Sequence, residues 1–165
     1  MLSAIEKIIF LKQVALFQNL TLDHLKVLST ICEEEAFADG QTICEEGEPG
    51  GTLYVIVMGK VAIERSGRRK GVKTRVAVLE ANACIGEMTL FDNSSRTATA
   101  VAVQHTLTIS LRREPLLALT RQYPDLLLDL INILSQRLRE TTSQVAKHTR
   151  SQPRELHRLF DELDK

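Results

Sequence analysis

Between positions 35 and 111 the chain is written in short alternating runs of apolar and polar residues, each closed by a turn signal. Predicted strands lie at 35–38, 41–45, 52–57, 60–64, 75–79, 97–103 and 106–111. Asp39-Gly40, Gly47 to Gly51, Gly59 and Ser66-Gly67 separate them where hairpins need tight turns or positive φ. Seven or more strands of this length and spacing make a sandwich or a barrel. A chain of 165 residues buries roughly 68–70% of its unfolded surface, enough for one core without staples.

Helical periodicity brackets this region. Ile5, Ile8, Ile9 and Leu11 predict a short amphipathic helix that ends before Leu16-Phe17. Thr21 is a fitting N-cap for a second helix carrying Leu22, Leu25, Leu28 and Ile31. After Arg113, Pro115 suits a first helical turn, and that helix stops at Tyr123-Pro124. Pro124 opens the longest helix, with Asp125 in its first turn. Leu127, Ile131, Leu134, Leu138, Thr141 and Val145 recur at spacings of four and three, a seam that fits either packing on the β region or a homodimer through the 124–147 helix. The polar tail 148–165 ends in one amphipathic turn, Leu156, Leu159, Phe160 and Leu163, opened by Pro153. The expected organisation is therefore a single domain over 1–165: N-terminal helices 1–33, a β region 34–112, C-terminal helices 113–147 and tail 148–165.

Charge and composition exclude several functions. Lys plus Arg and Asp plus Glu number 21 each, so no basic excess offers itself to nucleic acid. The dense basic cluster Arg68-Arg69-Lys70 sits between glycines and reads as a solvated hairpin tip. Cys32, Cys44 and Cys84 share no metal or redox spacing, which suits a reduced, cytoplasmic setting. His24, His105, His148 and His157 are scattered, so no metal site is expected. No uncharged run has the length of a membrane span, and no signal-peptide pattern opens the chain.

One segment carries chemistry: Gly86-Glu87-Met88-Thr89-Leu90-Phe91-Asp92-Asn93-Ser94-Ser95-Arg96-Thr97-Ala98-Thr99. Gly86 has no Cβ, so backbone can approach another group closely there. Glu87 can accept from a hydroxyl, and Arg96 presents a permanently charged fork that matches two phosphate oxygens. Residues 88–91 can form one helical turn between them. A small ligand bearing both a hydroxyl and a phosphate fits this combination. A buried Glu87–Arg96 ion pair in an unliganded barrel is the structural alternative.

The segment resembles the phosphate-binding cassette of the cyclic nucleotide-binding domain family. The family's opening appears as Gly86-Glu87-Met88-Thr89-Leu90 and its ending as Arg96-Thr97-Ala98-Thr99. Upstream, Gly47-Glu48-Pro49-Gly50-Gly51-Thr52-Leu53-Tyr54-Val55-Ile56 and Gly59-Lys60-Val61 are similar to its strand–turn signature. Gly51 stands where the family commonly has Asp.

The resemblance covers roughly residues 12–147. It implies a mainly β fold, a jelly-roll-like β-roll (double-stranded β-helix) with N-terminal and C-terminal helices, that binds cAMP or cGMP. The ligand-binding residues it implies are Gly86, Glu87, Met88, Thr89, Ser95, Arg96, Thr97 and Ala98, with Glu87 on the ribose 2′-hydroxyl and Arg96 on the cyclic phosphate. Backbone N–H groups of Thr89 and Thr97 would complete the phosphate cradle. Thr97 resembles a Thr of several cGMP-responsive members, and Thr141-Thr142 match in position a hydroxyl pair that contacts adenine in the activator branch.

The expected role is a regulatory sensor without catalysis or cofactor, since no nucleophile–base pair, carboxylate pair or metal cluster is evident. The 18 residues after Lys147 are too few for a helix-turn-helix unit, so no nucleic-acid partner is expected in this chain. Attachment to a larger effector, and a degenerate copy serving structure or protein interaction, are the remaining readings.

Overall fold

The computed structural model describes residues 1–67, 73–92 and 94–150, with side chains to 143. Ser3 opens helix α1 (Ala4–Gln13) through a reciprocal capping box: its hydroxyl accepts from Glu6 N–H while Glu6 Oε2 accepts from Ser3 N–H. Thr21 caps α2 (Leu22–Ser29) in the expected way, its hydroxyl accepting from His24 N–H. The connection between the two helices is not a surface loop. Val14, Leu16, Phe17 and Leu20 are all buried.

Among the described residues eight strands follow, all paired antiparallel: β1 (Glu33–Phe37), β2 (Thr42–Cys44), β3 (Thr52–Met58), β4 (Val61–Ser66), β5 (Lys73–Leu79), β6 (Cys84–Ile85), β7 (Thr99–Ala102) and β8 (Thr106–Arg112). They form two four-stranded sheets, ordered β1-β8-β3-β6 and β2-β7-β4-β5. The expected β-roll is present. Strand β6 is an addition, since two residues are too few to show alternation. Strand β7 begins at Thr99, two residues later than its pattern predicts, because Ser95 pairs with Pro49 and the chain bends at Thr97-Ala98.

Alternation along β3 divides the interior. Leu53 and Val55 face the helices, and Ile56 faces between the sheets. The helix-side core joins these residues to Ile109 and Leu111 of β8 and to Leu11, Phe17 and Leu25. The inner core contains Phe37, Ile43, Val61, Ile85 and Ala102. The molecule is thus layered as helices, sheet, sheet.

Between β6 and β7 lies the short helix α3 (Glu87–Phe91), the helical turn expected for residues 88–91. Helix α4 (Arg113–Gln122) carries Pro115 in its first turn, and α5 (Pro124–Arg150) starts on its proline. Helix α5 continues three residues beyond the expected limit at Lys147. Leu126, Leu130 and Ile133 seat its first half in the helix-side core, while Leu127, Leu128, Ile131 and Leu138 are exposed. The seam thus splits: Leu134 packs on the core and Leu127, Ile131 and Leu138 remain open. The Arg68-Arg69-Lys70 tip and the Leu156–Leu163 turn lie outside the described residues.

Candidate functional site

A cavity of about 430 Å³ opens between the inner face of the β2-β7-β4-β5 sheet, the α3 turn and α5. Its volume is in the range of small-molecule sites, roughly 300–1,000 Å³. Ile63, Leu79 and Ala100 give it apolar walls, and Gly86, Glu87, Arg96, Thr97 and Arg137 bring polar groups to it.

Seven of the eight sequence-predicted residues meet there: Gly86, Glu87, Met88, Thr89, Arg96, Thr97 and Ala98. Ser95 does not. It is exposed, with its backbone held against Pro49. Thr97 and Ala98 reach the wall because the bend before β7 takes them out of the ladder. Thr141 and Thr142 are exposed, and Thr142 Oγ1 donates to the Leu138 carbonyl (2.8 Å).

Arg96 is the centre of the polar wall. Its backbone is fixed at both ends, N–H donating to Glu48 O (2.8 Å) and C=O accepting from Gly47 N–H (2.9 Å). The side chain is only 7% exposed. Nη1 donates to Thr89 Oγ1 (3.1 Å) and Nη2 to the Thr52 carbonyl (2.7 Å). The guanidinium carbon also lies 5.8 Å from the centroid of the Tyr54 ring. Nε is buried without a partner. Among the described residues no carboxylate pairs with Arg96, so a buried cation is held by neutral acceptors alone.

The alternative of a buried Glu87–Arg96 pair is therefore not what forms. Glu87 Oε2 instead accepts from Arg137 Nη1 of α5 (3.1 Å), both side chains about one-third exposed. Sequence reasoning did not single out Arg137. The available signal was a cation on the longest helix, but which face of that helix meets the roll is set by tertiary packing.

Gly86 sits at φ +82, and a Cβ there would overlap Arg96 Nη1. The close approach expected of this glycine is thus made to the arginine. Gly50 is similarly constrained, because a Cβ would overlap that of Thr89.

The part of the cavity wall formed by Cys44 and Arg96 is buried. Burial pushes the Cys84 thiol up to about 12, with Glu87 adding to the shift and Arg137 opposing it. Burial raises Cys44 as well, against the pull of Arg96. A cation in such surroundings is a strong attractor for an anion, since interactions there are weakly screened.

The chain resembles known proteins along most of its length. It is 30% identical over 138 residues to the CRP-like cAMP-activated global transcriptional regulator of Mycobacterium tuberculosis, covering 82% of this chain and 60% of that protein. It is 34% identical over 125 residues to the cyclic AMP receptor protein of Thermus thermophilus, covering 76% of this chain and 57% of that one. The chain therefore spans about three-fifths of the length of these relatives. The crystal structure of the N-terminal domain of a transcriptional regulator from Streptomyces coelicolor superimposes with a TM-score of 0.76 at 31% identity, covering 82% of this chain and 94% of that domain. The pattern of the cyclic nucleotide-binding domain matches residues 34–123, more than half of the 165. That match takes in nearly all of both sheets together with the wall that carries Glu87 and Arg96, and the chain belongs to the cyclic nucleotide-binding domain family.

Proposed function

We propose that this chain is a regulatory module that binds a cyclic nucleotide in the cavity beside Arg96. The observation that carries the reading is the buried, carboxylate-free guanidinium with its unpartnered Nε. A cyclic phosphate supplies the missing anion, and Glu87 can accept from the ribose hydroxyl. Gly86, Met88, Thr89, Thr97 and Ala98 form the surrounding wall, with backbone N–H groups of Thr89 and Thr97 serving the phosphate. The cAMP-related names of the Mycobacterium and Thermus proteins favour cAMP as the ligand. Thr97, exposed on the cavity wall, is the feature that favours cGMP, through its hydroxyl and the guanine amino group.

The signal runs through α5. A ligand hydroxyl on Glu87 competes with or reinforces Arg137, so binding biases where α5 rests. The exposed leucines and isoleucine of α5 provide a surface for a homodimer, and the readout belongs to an attached or separate effector. The proposed module is a cytoplasmic sensor without catalysis of its own; no helix among the described residues is long and apolar enough to cross a membrane.

Calorimetric titration with cAMP and with cGMP tests the reading. Saturable binding of either supports it. No heat from either nucleotide at millimolar concentration overturns it in favour of a degenerate, structural copy of the domain.

A further inference from the structure

Thr89 is 3% exposed and occupies the third position of α3. Its hydroxyl is fully committed. It donates to the Gly86 carbonyl (3.1 Å) and accepts from Gly51 N–H (3.4 Å) and from Arg96 Nη1 (3.1 Å). One O–H and two lone pairs are thereby used, which leaves nothing for a ligand. The side chain also fills the space that a Cβ on Gly50 would need. Thr89 is thus the single side-chain acceptor on Arg96 among the described residues, the other acceptor being the Thr52 main chain.

We propose that the Thr89 hydroxyl is a positioning residue for the binding site: it fixes the rotation of the Arg96 guanidinium before ligand arrives. The argument rests on the reading of Arg96 as the anion-binding group. Holding a guanidinium in place beforehand removes an ordering cost from the binding step, so affinity depends on a group that never touches the ligand. Thr89 goes further than its neighbours in one respect. It ties the guanidinium to two chain segments at once, the α3 turn through Gly86 O and the 50–51 loop through Gly51 N–H.

The test compares Thr89→Val, which keeps shape and loses the hydroxyl, with Thr89→Ser, which keeps the hydroxyl. In ligand-free protein, 15N NMR of the arginine side chains reads rotation about the Arg96 Nε–Cζ bond. Slow rotation in the parent and in Thr89→Ser, with faster rotation in Thr89→Val, is expected. Affinity for cAMP should weaken about tenfold or more in Thr89→Val, the scale of one hydrogen bond to a charged group, and recover in Thr89→Ser. Unchanged rotation, or freed rotation with unchanged affinity, overturns the inference. If the rotational contrast is present but the parent protein does not bind cAMP or cGMP, the positioning geometry stands and the assignment of Arg96 to a cyclic phosphate falls.

Discussion

Arg137, midway along α5, donates to Glu87, the first residue of α3, across 3.1 Å and 50 positions of sequence. The contact fastens the longest helix to the wall of the cavity. A second contact fastens the same helix nearer its start, where His24 Nδ1 of α2 lies 2.9 Å from Asp129 Oδ2. From 138 to 143 α5 presents exposed polar residues and Leu138. The helix is therefore held at its base and at the cavity.

Arg137→Ala should release α5 at the cavity while leaving the fold in place. Both partners are about one-third exposed, so the loss of unfolding free energy should be under about 1 kcal/mol. Amide exchange in α5 around residue 137 should quicken in ligand-free protein. Exchange identical to that of the parent shows that the pair does not hold the helix.

Arg96→Ala should weaken cAMP binding at least about 100-fold, because it removes the charge and the donor together. Its effect on stability should be smaller, within about 2 kcal/mol, since orphaning Thr89 Oγ1 and Thr52 O is offset by relief of a desolvated charge. Titration calorimetry and urea unfolding measure the two effects separately. Parent-like affinity would remove Arg96 from the site.

Glu87 and Arg96 were legible in the sequence because one short segment carries a hydroxyl acceptor, a phosphate-matching cation and the motif that resembles the family's cassette. The α3 turn between them was legible for the same local reason. Three features were not. The orientation of α5, and with it Arg137, depends on long-range contacts such as that between His24 and Asp129, 105 positions apart. Strand β6 is two residues long and shows no period. The late start of β7 follows from the 47–50 loop pairing with 94–96, a contact between distant segments. Local pattern finds elements and charged exceptions, whereas long-range pairing decides which of them meet.

Gly86→Ala should damage both the fold and the site. The residue sits at φ +82, which an L side chain adopts at a cost, and its new methyl would overlap the Arg96 guanidinium. The two effects together should lower stability by about 2–4 kcal/mol and displace Arg96, so affinity for cAMP should fall as well. Urea unfolding and titration on the same preparation check this. A variant with parent-like stability would mean that the Gly86 turn relaxes without penalty.

The Cys32 and Cys84 thiols predict a loss of stability on the alkaline side. Cys32 and Cys84 are both pushed from 9.0 up to about 12, chiefly by burial. Below pH 9 the thiols are protonated in both folded and unfolded chains, and the stabilisation linked to that proton is fully present. As pH rises from 9 towards 12 the unfolded chain gives up these protons while the folded chain keeps them. Stability therefore falls, by at most about 1.4 kcal/mol per pH unit for each thiol. Cys32 donates to the Leu28 carbonyl (3.3 Å) deep in the helix-side core, away from the ligand cavity. Cys32→Ala should accordingly lower stability by a constant amount at neutral pH and decline less steeply above pH 9. Urea unfolding under reducing conditions at pH 7.5, 9 and 10 measures the slopes. Parallel slopes for the parent and Cys32→Ala would show that the Cys32 thiol ionises as readily folded as unfolded.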